Sequence, residues 1–149
     1  MESGKPSQSP SSYAPPTTAE ELLRRYAVGE RYFCGAEIED CACFRGAVLV
    51  DAMLDGAWLF DADFRNADLR RVRFNGSNVK CANFADADLG GASFREAAVD
   101  GATFTGAKLT GASFEGAGWY GCTIHDGMGF PTGADFHPAP RNSDLSESN

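Results

Sequence analysis

The sequence predicts an all-β solenoid whose chain turns a corner every five residues, and three observations carry that prediction. Every fifth residue from Phe44 to Ile124 is large and apolar, 17 consecutive positions without a miss. The residue two before each is small: alanine at 14 of the 17, with only Val72, Ser77 and Cys122 departing. Like residues also recur every 20 positions, as in Phe44, Phe64, Phe84 and Phe104, or Leu49, Leu69, Leu89 and Leu109.

A period of five fits neither a helix at 3.6 nor a strand at 2. A helix would smear these residues around its circumference, and a straight strand would send alternate members to opposite faces. Only a chain that bends every five residues keeps them all inward. Four bends close a coil, so the structural period is 20 and the coils stack about 4.8 Å apart through backbone hydrogen bonds. The small residue is inward too, because two large side chains per pentad would overfill so narrow an interior. Gly46, Gly56, Gly76, Gly91 and others immediately precede it, which places them at the corners. No proline interrupts the chain between Thr17 and Phe130, as a continuous ladder requires.

The units Ala62-Asp63-Phe64, Ala67-Asp68-Leu69, Ala82-Asn83-Phe84 and Ala87-Asp88-Leu89 resemble the A(D/N)LXX and A(D/N)FXX unit of the pentapeptide-repeat family. That resemblance implies a right-handed quadrilateral β-helix. Seventeen pentads on four sides make about four coils, on the order of 20 Å of rod.

The ends depart from the period. Residues 1–17 are rich in proline and serine and read as a disordered leader. Residues 18–30 read as a capping helix: Thr18-Ala-Glu-Glu21 is a capping box, Leu22, Leu23, Tyr26 and Ala27 form one stripe, and Gly29 is the stop. Such a short helix must dock, and the open end of the coil is the place for it. The repeat itself spans 31–124. Phe33 and Ile38 begin the spacing, but Ile38 to Phe44 is six, which predicts one inserted residue around Glu39 and Asp40. Residues 125–149 read as a plug, with Met128, Phe130 and Phe136 closing the end, and then a flexible tail.

The formal net charge is −8, but it is not spread evenly. Residues 44–124 hold ten acids and eight bases, net −2, and each flank is net −3. A nearly neutral rod argues against a whole-surface negative field. No stretch is apolar enough to span a bilayer and the N-terminus lacks a secretory signal, so the expected location is cytoplasmic. The five cysteines are odd in number and match no disulfide framework. Cys41-x-Cys43 lacks nearby histidines or a second pair, so no metal and no cofactor is expected.

Nothing in the chain assembles a nucleophile–base pair. Gly116-Ala-Gly118-Trp-Tyr-Gly121 matches a dinucleotide fingerprint but sits inside the repeat, without strand and helix around it. Asp63, Asp68 and Asp88 occupy the repeat's structural Asp/Asn position. Stacked charges are expected at Asp51 over Arg71 and Lys80 over Asp100. The chain therefore reads as a non-enzyme.

Two surface features stand out. Val48, Val50, Met53, Trp58 and Phe60 point outward in the first full coil, where later coils carry polar or small residues. They are covered by the N-terminal segment or form a partner surface. Arg65, Arg70, Arg71 and Arg73 cluster in the next coil as solvated charges or an anion site. The expected function is a protein-interaction scaffold or regulatory binding module with an unidentified protein partner. Direct nucleic-acid binding is not expected, and homodimerisation through the apolar residues or the coil ends is an open option. The alternative, which the family resemblance implies, is DNA mimicry against gyrase or another topoisomerase.

Overall fold

A computed structural model of the chain describes residues 12–120, 122–124 and 126. Each pentad contributes one short straight segment and one turn. At the segment around Asp63, the Phe64 N–H donates to the Asn83 carbonyl at 2.8 Å, and the Asn83 N–H donates back to Ala62 at 2.9 Å. The turn that follows closes through the Ala67 N–H and the Phe64 carbonyl at 3.1 Å. The same arrangement recurs along the chain, and parallel bridges join Asp63 to Asn83, Asp68 to Asp88, Arg73 to Ser93 and Asn78 to Ala98. Every one of these pairs is 20 residues apart, so the fold is a four-sided β-helix solenoid.

The corners explain the glycines. From Gly35 to Gly116, the second residue of each turn has φ between +59° and +80°. A positive φ at the second central residue of a four-residue turn is the mark of the type II turn, for which glycine is suited. Eight corners nevertheless carry a side chain there, among them Asn66, Asp86 and Glu96. Left-handed backbone costs a non-glycine residue roughly 1–2 kcal/mol, of which glycine's greater unfolded entropy returns about half. Glu96→Gly is therefore expected to raise stability by about 0.5–1 kcal/mol, read as an upward shift of the urea midpoint at constant slope.

Inside, the phenylalanines form two columns. Phe44, Phe64, Phe84 and Phe104 stack with centroids 4.9–5.1 Å apart and planes within 7°. Phe74, Phe94 and Phe114 stack at 4.8 Å, and the two columns meet edge to face at 5.4–5.8 Å. Parallel stacking is imposed by the ladder, while the edge contacts between columns take the geometry that ring quadrupoles prefer.

The inserted residue sits where the six-residue spacing predicts. Tyr32 bridges Met53 and Glu37 bridges Trp58, 21 residues apart, whereas Cys43 bridges Asp63 at 20. Glu39 makes use of the extra length. Its N–H donates to the Thr17 carbonyl at 3.0 Å and its carboxylate accepts from the Ala19 N–H at 3.4 Å. A carboxylate there faces the positive end of the helix dipole.

That helix, α1, spans Ala19–Ala27. Thr18 caps it by accepting from the Glu21 N–H at 3.0 Å, and Glu21 returns a bond to the Thr17 N–H at 3.1 Å, one residue earlier than a standard capping box. Its C-terminus closes in a Schellman motif: Glu30 N–H to Arg25 carbonyl, Gly29 N–H to Tyr26 carbonyl. Leu22 and Ala19 are buried in the solenoid core, while Ala27, expected on the docking stripe, is exposed. The Tyr26 hydroxyl donates to the Val50 carbonyl at 2.8 Å, which ties the far end of the helix to the coil.

Two expectations about the ends need correction. The leader is not disordered as far as residue 17. Tyr13 packs edge to face on Tyr32 at 5.0 Å and donates to the Cys34 carbonyl at 2.9 Å, Pro16 is buried, and Arg25 bonds the Ala14 carbonyl at 2.8 Å. Burial raises the Tyr13 phenol to about 12. Residues 1–11 lie outside the described residues.

At the other end the five-residue spacing outlasts the coils. β1 (Ala117–Trp119) and β2 (Cys122–Ile124) pair antiparallel, with Trp119 opposite Cys122 and Ala117 opposite Ile124. Residues 122–124 thus turn back on the preceding segment instead of continuing the parallel ladder under Phe104. Two positions separate the strands, and the first, Tyr120, has φ +51°, a conformation suited to a tight hairpin. Asp126 then substitutes for a missing coil. Its carboxylate accepts from the Phe114 N–H at 2.7 Å, where one coil earlier the Phe94 N–H meets the Ser113 carbonyl. Met128, Phe130 and Phe136 lie outside the described residues. Among those described, no helix is long and apolar enough to cross a membrane.

Candidate protein-docking face

The outward residue at the centre of each straight segment falls into one of four columns. Glu37, Trp58, Asn78, Ala98 and Gly118 form one; Val48, Asp68, Asp88 and Lys108 form the column half a coil away. Tyr32, Met53, Arg73, Ser93 and Ser113 lie between them. The five outward apolar residues therefore do not make one patch. Val48 is 55% exposed on its own face, and Trp58 is 43% exposed on the opposite one. Val50 and Phe60 are half-buried at corners. Met53 does not belong to an exposed surface: it is only 7% exposed, because the partial first coil places Tyr32 beside it on one side and Arg73 follows on the other.

Trp58 is the best-organised of these side chains. Its indole N–H donates to the Asp40 carboxylate at 2.9 Å, and Phe60 lies 6.1 Å away with the rings tilted by 34°. Beside it runs a groove of about 420 Å³ lined by Glu37, Gly56, Ala57, Trp58, Gly76 and Asn78. The groove exists because the same corner carries no side chain in two successive coils. A Cβ at Gly56 or Gly76 would meet nothing within 4 Å. Glu37, Asp40, Gly56, Gly76 and Asn78 are absent from the outward residues read from the sequence. The signal was present in the six-residue gap, since shifting the register by one before Phe44 sets Glu37 over Trp58.

Each of the four arginines is paired with an aspartate. Arg65 and Arg70 each grip the aspartate two residues earlier with two bonds, Asp63 at 2.8 and 3.0 Å and Asp68 at 2.8 and 2.8 Å. Arg71 bonds Asp51 one coil back at 2.8 and 3.2 Å, as the column reading predicts, and Arg73 pairs with Asp55. Asp63 and Asp68 also accept the backbone N–H of residues 65 and 70, the same turn-fixing bond that Asn78, Asn83 and Asp88 make to residues 80, 85 and 90. These acids serve the turns. Cys41 donates to Asp61 at 3.0 Å, and that bond holds its pKa above the ordinary thiol value.

The family model for pentapeptide repeats matches in eight copies, over residues 59–95 and 82–117. Residues 59–117 are thus a run of pentapeptide repeats. Solved structures agree with the pentapeptide-repeat assignment. HetL from the cyanobacterium Nostoc, a pentapeptide-repeat protein involved in heterocyst differentiation regulation, is 29% identical over 68% of this chain and 45% of its own, with a TM-score of 0.58. The Nostoc pentapeptide-repeat protein alr5209 is 28% identical over 78% of this chain and 93% of its own, with a TM-score of 0.59. Rfr23 of the cyanobacterium Cyanothece is 26% identical over 63% of each chain, with a TM-score of 0.57. The chain thus spans less than half the length of HetL and under two thirds of Rfr23. No curated protein matches.

The arginine–aspartate pairs set a pH dependence of stability. The Arg65 side-chain bonds hold the Asp63 carboxyl well below the usual carboxylate range, and Arg70 and Arg71 lower Asp68 and Asp51 in the same way. A carboxyl whose folded pKa lies below its unfolded value of about 3.9 contributes stability that is complete above that value. The contribution is lost as pH falls through the folded pKa. The urea midpoint is expected to be flat between about pH 7 and 5 and to fall below about pH 4. Asp63→Asn, which keeps an acceptor for the Arg65 N–H, is expected to shallow that fall. The pairs are part-exposed, so each effect is small.

Proposed function

We propose that this chain is a non-enzymatic binding module that docks a protein partner on the face carrying Trp58. The observation behind this reading is the part-exposed indole, fixed by Asp40 and Phe60 beside an open groove. Aromatic side chains that are rigid before binding lose little entropy on association and dominate interface energetics. HetL, which matches 68% of this chain and 45% of its own, is involved in heterocyst differentiation regulation, and a regulatory binding role is consistent with that likeness. Right-handed winding in about four coils belongs to the same reading. It is supported by the family assignment and by bridges that run from Tyr32 to Gly118.

Four thiols, Cys34, Cys41, Cys43 and Cys81, are unpaired, which favours a reducing compartment such as the cytoplasm. The DNA-mimic alternative is weakened by the pairing of Asp51, Asp55, Asp63 and Asp68, each with an arginine. Crosslinking with mass spectrometry in the native cell tests the docking reading. Crosslinks from a protein partner are expected at residues around Trp58 and are expected to disappear with Trp58→Ala. A partner that is retained at full yield by that variant removes this face from the proposal.

A further inference from the structure

We infer that the occupant of the Trp58 groove is a cationic side chain, an arginine presented by a basic segment of the partner; this rests on the docking reading above. The argument is one of charge placement. In the coil that carries Trp58, the aspartates on the other sides have guanidinium partners: Asp51 with Arg71, Asp55 with Arg73, and Asp63 with Arg65. The carboxylates around the indole have none. Glu37, exposed and bridged to Trp58 in the ladder, Asp40, which accepts the indole N–H, and Asp61, at the next corner, make no ion pair among the described residues. The base on the same edge is Lys80, one coil further on, and it forms no ion pair either.

An aromatic ring held rigidly among unneutralised carboxylates attracts a cation twice, through the ring's quadrupole and through charge. A guanidinium suits this site better than an ammonium, because it is planar enough to lie on the indole while its edge offers paired donors to Glu37. The open steps at Gly56 and Gly76 give a long side chain an approach along the rod. The opposite face offers no such arrangement: the ladder sets Asp68 beside Val48, and Asp68 is already held by Arg70.

The test uses the full chain with acetylated, amidated tetra-arginine as probe and tetra-glutamate as control, following by NMR the backbone amides of Glu37, Ala57 and Asn78 in every variant and, where Trp58 is present, its indole N–H resonance. Tetra-arginine is expected to shift that resonance saturably, more weakly as salt rises. Glu37→Gln and Trp58→Ala are each expected to weaken binding roughly threefold to tenfold, in the range of a cation–π contact or a single ion pair. Trp58→Phe, which keeps a ring, is expected to lose less than Trp58→Ala, and this difference separates ring loss from a general folding defect. Equal affinity of wild type and Glu37→Gln, or an equal shift with tetra-glutamate, overturns the inference. If tetra-arginine fails to bind while partner crosslinks still depend on Trp58, the occupant is misassigned and the docking face stands. If the crosslinks ignore Trp58, the docking reading itself fails.

Discussion

Phe84→Ala is expected to destabilise the protein by about 3–5 kcal/mol, a large share of the stability of an ordinary domain. Phe84 has no exposed surface and lies between Phe64 and Phe104, with both centroids 5.1 Å away. Edge contacts to Phe74 at 5.8 Å and Phe94 at 5.4 Å add two more rings. Removing the phenyl group leaves a void that the coils cannot close, because the neighbours above and below are held at ladder spacing by backbone hydrogen bonds. The cost therefore belongs at the high end of large-to-small substitutions, where collapse is prevented. A urea titration followed by far-ultraviolet circular dichroism measures it. A loss below about 1 kcal/mol would show that the rings do not form a continuous column.

Leu22→Ala is expected to cost about 2–5 kcal/mol and to release the cap. Leu22 is fully buried and is the one wholly buried leucine that α1 contributes to the core. A nine-residue helix has little stability of its own, so its docking depends on that side chain and on the Tyr26 and Glu39 bonds. With the helix released, the tops of Phe44 and Leu49 meet water, and the unpaired edge above Cys43 and Val48 is open to other chains. Hydrogen exchange is expected to accelerate in residues 42–50 before it changes in residues 82–110, together with concentration-dependent light scattering. Uniform acceleration along the whole chain would mean that the cap and the coils unfold as one unit.

The interior was legible because one period specified both side-chain type and direction. Phe44, Phe64 and Phe84 fall in a column by counting alone, and so does the Asp51–Arg71 pair, 20 residues apart. Arg73 and Asp55 are 18 apart, across a corner, and column counting does not see across corners. The inserted residue at Glu39 is visible as a six-residue gap, but the five-residue register that starts at Phe44 does not extend back across it to Tyr32 and Glu37. For that reason Met53 reads as exposed, and the Trp58 groove is not legible in the spacing. The reversal after Trp119 was hidden for a different reason. Ile124 satisfies the five-residue rule, and a spacing rule records which residues are large, not which way the chain runs.

The rungs described above also bear on how the chain finds its structure. Every bridge from Tyr32 to Gly118 joins residues 20 or 21 positions apart. Any of them can form first by closing a loop of the same short length, and closure entropy rises only slowly with loop size in any case. Adding coils lengthens the rod without lengthening the search, so a protein assembled almost wholly from strand pairings escapes the slow folding that distant pairings impose on most β architectures.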